Sequence, residues 1–184
     1  DKEKLSDVVV PFSPDSYNPE ATVSENILFG TATGSALQPA ELARNPYFRS
    51  LLDEMELTEG FFGAGIEIAR NLIELFRELP PDHPFFQNLA FMTADEIPRY
   101  EAILKRLQGA TASTASEEDR AAMIALAFPY IEPRHRFDIL DKERMERIVQ
   151  LRHRFLEGLP EELRSSLEPY DPEKYNVAAT LIDN

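Results

Sequence analysis

The sequence contains no cysteine, and that one absence removes disulfides, thiolate nucleophiles, zinc knuckles and thiolate-held iron–sulfur clusters together. Histidine is nearly as scarce. Only His83, His135 and His153 occur, no two of them at helical ligand spacing, so an imidazole-rich metal site has almost nothing to build on. Basic charge is also in deficit. Thirty-three acidic residues face nineteen basic ones, and the formal charge of -14 repels nucleic acid phosphates and anionic headgroups at long range. Long apolar runs are missing too: no run, that of Val8 to Pro11 included, is long enough to cross a bilayer, and no charged-then-apolar signal segment is present.

What the chain does have is a core. In 184 residues, 43% are hydrophobic and 10% aromatic, enough for one mainly single-core domain. Val8 to Phe12 is a short beta-type run meeting the turn residues Ser13, Pro14 and Asp15. Residues 30–39 hold two glycines and several small residues, the composition of a linker or mobile loop. From Ala40 to Leu167 the periodicity is helical almost throughout. Phe62, Ile66, Ala69, Leu72, Ile73, Phe76 and Leu79 form one apolar stripe over 58–79, which Pro80 and Pro81 stop.

Asp95 reads as the cap of a second helix with stripe Ile97, Tyr100, Ile103, Leu104 and Leu107, ended by Gly109. Ser116 reads as the cap of a third, running to about Ala127. Asp141 caps the last long helix, whose Met145, Ile148, Val149, Phe155 and Leu156 are expected inside and whose arginines are expected in water. A short helix over 161–167 follows, then prolines at 169 and 172. The expected fold is mainly α: a helical bundle with short extended or turn-rich terminal segments.

An internal repeat organises the ends. Residues 12–26 align without gaps to residues 170–184, an offset of 158. Six of fifteen positions are identical: Pro14 with Pro172, Tyr17 with Tyr175, Asn18 with Asn176, Ala21 with Ala179, Thr22 with Thr180 and Asn26 with Asn184. Phe12 pairs with Tyr170, Asp15 with Glu173, Val23 with Leu181 and Glu25 with Asp183. Solenoid repeats recur at much shorter intervals, so something has been inserted between two copies.

The first copy continues Thr22-Val23-Ser24-Glu25-Asn26-Ile27-Leu28-Phe29-Gly30, which resembles the segment that follows the Q-loop in ABC transporter ATPase domains and there opens the helical subdomain. The second copy stops at Asn184, where that family would go on with Ile, an aliphatic residue, Phe and Gly. The resemblance implies a parent chain running on to the signature sequence. A second, weaker resemblance to bacterial members with an enlarged segment here lies around Phe128-Pro129-Tyr130-Ile131-Glu132-Pro133-Arg134-His135-Arg136. The resemblance divides the chain into a first copy at 1–30, a linker at 31–39, a helical insertion domain at 40–167 and a second, truncated copy at 168–184. Phe12 and Tyr170 stand where the family carries its metal-linked glutamine, so no nucleotide contact is carried over.

No phosphate-binding loop is present, because Gly30 to Gly34 lacks the required lysine. No catalytic, cofactor-binding or metal residue is assigned. ATP and magnesium are implied only for the parent. The candidate interaction residues are Tyr17, Asn18, Thr22, Glu25 and Asn26 with their counterparts Tyr175, Asn176, Thr180, Asp183 and Asn184, although Asn and Thr at such places equally serve turns and caps.

Three other groups carry paired readings. Glu132, Arg134, His135 and Arg136 form either an anion or general-base site or an ion-paired connection between helices. Phe61, Phe62, Phe85, Phe86 and Phe91 line either a lipid-like ligand pocket or the core. Lys142, Arg144, Arg147, Arg152, His153 and Arg154 form either a docking face for an acidic partner or an ordinary solvated face.

The expected role is an accessory or regulatory insertion in an ABC ATP-binding subunit. Its partners would be the rest of the ATPase domain and the membrane domain, at the cytoplasmic side of the cell membrane, without direct membrane insertion or nucleic acid. The rivals are a stand-alone ligand-binding or enzymatic domain using Glu132 to His135, and a passive spacer or oligomerisation module.

Overall fold

A computed structural model describes residues 12–78, 80 and 92–171. In chain order it contains α1 (Val23–Leu28), β1 (Gly30–Ala32), a 3-10 turn (Ser35–Leu37), α2 (Pro39–Arg44), α3 (Pro46–Glu54) and α4 (Thr58–Glu78). A second 3-10 turn (Ala94–Glu96) then leads into α5 (Ile97–Arg106), followed by α6 (Glu117–Ala127), α7 (Glu132–His135), α8 (Lys142–Glu157), α9 (Glu161–Arg164) and β2 (Leu167–Pro169). The architecture is mainly α, as the periodicity predicts.

The apolar stripe of α4 makes it the central helix. Phe61, Phe62, Ile68, Ala69, Leu72 and Ile73 are buried, while Ile66 and Phe76 stay partly exposed, so the buried face is centred slightly away from the predicted one. α4 packs against α5 and most extensively against α6. At the α4–α6 crossing Gly65 admits the other backbone: a β-carbon there would lie 1.9 Å from the Met123 carbonyl oxygen. α1 and α3 pack on α8, and α2 packs on α6, which completes one continuous core.

Two caps stand where the sequence puts them. The Ser116 hydroxyl accepts from Asp119 N at 3.1 Å, and the Asp141 carboxylate accepts from Arg144 N at 2.8 Å, each taking up one of the unpaired donors of a helix start. The third is corrected. Thr93, not Asp95, starts the α5 region, because Glu96 returns its carboxylate to Thr93 N at 2.8 Å and so gives Thr93 the reciprocal partner that Asp95 lacks.

The 31–39 stretch is structured chain. Gly30, Thr31 and Ala32 pair antiparallel with Pro169, Glu168 and Leu167, and Leu37 is buried in the core. Gly30 is required there, since an added β-carbon would meet the Glu168 carbonyl oxygen at 2.3 Å. The strand predicted over 8–12 lies outside the described residues apart from Phe12.

Segment 12–30 also belongs to the helical body. Val23, Ile27 and Leu28 are buried in the common core. Val23 N and Ser24 N donate to the carbonyls of Tyr130 and Phe128, at 3.1 and 3.0 Å, so the free donors of α1 are taken up by the chain that leaves α6.

Candidate functional site: the stapled end motif

The residues of the first motif copy build one connected polar structure. Thr22 caps α1: its hydroxyl accepts from Glu25 N at 3.1 Å, and the Glu25 carboxylate accepts from Thr22 N at 2.7 Å. One turn on, Asn26 is fully buried and works in the opposite direction. Its Nδ2 donates to the carbonyls of Asn18 and Thr22 at 2.9 and 3.0 Å and more weakly to that of Ala21 at 3.4 Å. Its Oδ1 accepts from Asn18 N at 2.8 Å. A single amide thereby closes the 18–22 loop onto the helix it precedes.

The second acceptance at Asn26 Oδ1 comes from Arg152 of α8, at 3.1 Å. Arg152 is 0% exposed, and among the described residues it has no carboxylate bonded to it. Carbonyl oxygens surround it instead: Nε donates to Asn26 O at 2.6 Å, and Nη1 to Ser13, Pro14 and Ser16 O at 2.9, 2.7 and 3.1 Å. The guanidinium also lies 5.0 Å from the Phe29 ring centroid and 5.7 Å from that of Phe12. Burial lowers the guanidinium pKa from its ordinary value, partly offset by the charge of Asp15.

Arg152 is the residue that the sequence reading misplaces, because it assigns the arginines of α8 to water. The buried face of α8 is Ile148, Leu151, Arg152 and Phe155, which is the i, i+3, i+4, i+7 spacing of a helical core stripe with a cation in it. That spacing was the available signal.

Five of the six positions identical between the two copies bond within this staple, and the sixth, Tyr17, packs beside it. Pro14 gives a carbonyl to Arg152; Asn18, Ala21 and Thr22 give carbonyls to Asn26; Tyr17 packs against the core. Burial pushes the Tyr17 phenol well above its ordinary pKa, and its hydroxyl makes no hydrogen bond. Tyr175, Asn176, Thr180, Asp183 and Asn184 lie outside the described residues. The start of the second copy is described: Tyr170 N donates to Phe29 O at 2.9 Å. Phe12, Phe29 and Tyr170 form a three-ring cluster with centroids 4.7 to 5.4 Å apart. The two ends of the described chain are therefore neighbours.

No family model, curated protein or solved structure matches this chain.

The 132–136 cluster is occupied by its own turn. The two Glu132 carboxylate oxygens accept from Asp138 N and Leu140 N at 3.0 and 2.7 Å, and Arg136 Nε donates to Pro133 O at 3.1 Å. Arg136 and Asp138 both hold positive φ, 57° and 56°, and these bonds keep that tight reversal in place. Arg134 is exposed on α7. His135 Nδ1 accepts from Ile131 N at 2.9 Å, which demands an unprotonated nitrogen. Burial first, and the charge of Arg134 second, lower the His135 pKa from 6.5.

That shift fixes a pH dependence. Below about pH 6.5 the unfolded chain takes up a proton that folded His135 resists, so stability falls with pH and levels off once the pH drops below the folded-state value. Urea unfolding between pH 7 and pH 5 is expected to show this decline in the wild type and a shallower one in His135→Asn. Equal slopes would contradict it.

Several cations of α8 bond within the chain. Arg144 donates to the Ile139 carbonyl, Arg147 to the Met55 carbonyl and Arg154 to the Glu54 carboxylate. His153 lies 3.3 Å from Asp15, and Lys142 3.8 Å from Glu146. Of the phenylalanines, Phe61 and Phe62 are buried, whereas Phe85, Phe86 and Phe91 lie outside the described residues. No described helix is long and apolar enough to cross a membrane, and no described group of histidines and carboxylates is arranged to hold a metal ion.

Proposed function

We propose that this chain is an accessory domain inserted in the ATP-binding subunit of an ABC transporter, acting through contacts with that transporter at the cytoplasmic side of the cell membrane. One observation carries the reading. Residues 12–26 and 170–184 repeat one motif, and the equivalent first residues of the copies, Phe12 and Tyr170, pack on the same Phe29 ring beside the β1–β2 pair. An inserted domain must leave and re-enter its host at neighbouring points, and this geometry meets that requirement.

The first copy is folded into the insertion by Asn26 and Arg152, so it serves the inserted body. ATP and magnesium belong to the host, where the phosphate loop and the magnesium-binding acid would reside. Regulation follows if the body moves between positions that favour different states of the ATPase.

The sequence of the parent gene tests this directly. A Gly-x-x-x-x-Gly-Lys-Ser/Thr loop is expected upstream, and Ile-aliphatic-Phe-Gly followed by Leu-Ser-Gly-Gly-Gln downstream. A parent lacking both would end the reading.

A further inference from the structure

A cavity of about 440 Å³ lies between α1, α4, the end of α6 and the first turns of α8, within the size range of small-molecule sites. Val23, Phe61, Ala64, Ile68 and Ile148 give it one apolar wall, and Tyr130, Ile139 and Leu140 another. Phe61, one of the phenylalanines read as lining a lipid-like pocket, lines this cavity.

The polar side is unequal. Arg144 is engaged, with its guanidinium on the Ile139 carbonyl and 4.0 Å from Asp141. Arg147 is not fully engaged. One terminal nitrogen donates to the Met55 carbonyl, yet its Nε is buried without any hydrogen-bond partner and no described carboxylate pairs with the side chain. Arg147 therefore brings to the cavity wall a positive charge that no described carboxylate neutralises. Glu56, Asp141 and Glu143 stand exposed at the rim. Their charge opposes a multiply charged head such as a phosphate, while a single carboxylate seated on Arg147 would lie inside them.

We propose that this cavity binds an amphipathic monocarboxylate of the fatty-acid class, with its chain against Phe61, Ile68 and Ile148 and its carboxylate on Arg147. The site uses only residues of the helical body and does not depend on the nature of the host. A phosphate-headed ligand is disfavoured by the acidic rim, and a neutral one by the unpaired cation.

Calorimetric titration of the intact chain with decanoate, alongside 1-decanol, separates these cases. Saturable one-to-one binding of decanoate is expected, at least tenfold tighter than decanol, with the Phe61 and Ile148 resonances shifting on binding. Arg147→Met should weaken decanoate at least tenfold and leave decanol unchanged. Absence of saturable decanoate binding up to about 1 mM, corresponding to less than about 4 kcal/mol, would overturn the proposal. So would equal affinity for decanol and decanoate, or shifts confined to residues away from Phe61 and Ile148. Should Arg147→Met fail to fold by thermal melt, the decanoate–decanol comparison on the wild type decides alone.

Discussion

Arg152→Met is expected to destabilise the domain by about 3 kcal/mol or more, since it strips donors from Asn26 and from three carbonyls of the 13–16 loop around a fully buried side chain. Methionine keeps much of the volume, so the loss reports hydrogen bonding and charge rather than a cavity. Arg154→Met, two residues along the same helix, removes a half-exposed pair with Glu54 and should cost less than about 1 kcal/mol. Urea unfolding of the two variants measures the contrast. Asn26→Ala should be partly redundant with Arg152→Met, because the two side chains bond each other. Similar losses for Arg152→Met and Arg154→Met would mean that the end motif is not held by the buried guanidinium.

Gly65→Ala should cost about 3 kcal/mol for a different reason. The new β-carbon meets three Met123 backbone atoms, at 1.9, 2.5 and 2.9 Å, and backbone at a helix crossing cannot swing aside as a side chain can. α4 and α6 must part, which loosens the largest contact in the fold. Gly63 lies two residues earlier on the same helix with nothing within 4 Å of an added β-carbon. Gly63→Ala should therefore stabilise by up to about 1 kcal/mol through helix propensity alone. Opposite signs for these two substitutions, read from midpoints of thermal or urea unfolding, are the expected outcome. A neutral Gly65→Ala would show that the α4–α6 crossing is wider than described.

The helices were legible because their signals are local. The 3-4 spacing of α4, the Ser116 and Asp141 caps and the stop at Gly109 each depend on residues within a few positions. Features made by distant partners were not. The strand at Gly30–Ala32 exists because Leu167–Pro169 comes to lie beside it, and nothing near residue 30 announces that pairing. Arg152 was misread because charge outweighed position: it occupies the Ile148–Leu151–Phe155 stripe, and only the carbonyls of a loop 136 to 139 residues away make burial tolerable.

The candidate site was half legible. Thr22 with Glu25 is recognisable as a capping box from spacing alone, whereas the role of Asn26 emerges only with Arg152 beside it. The Glu132–Arg136 cluster looked dense in sequence because a tight reversal with two positive-φ residues needs many side-chain acceptors and donors at once. Density of polar residues there reports turn geometry more than chemistry.

On the proposed ABC-insertion reading, the repeat also defines how the domain would be removed from its parent. Cutting out 31–169 would leave Val23, Ile27 and Leu28 of the first copy without the core that buries them. Joining residue 11 to Tyr170 removes one full repeat offset and leaves a single copy of the motif. In the purified, membrane-reconstituted parent, the account predicts that this excised form folds and binds ATP but hydrolyses it at a basal or transport-coupled rate altered severalfold. An unchanged rate with unchanged coupling would contradict a regulatory insertion and leave a spacer in its place.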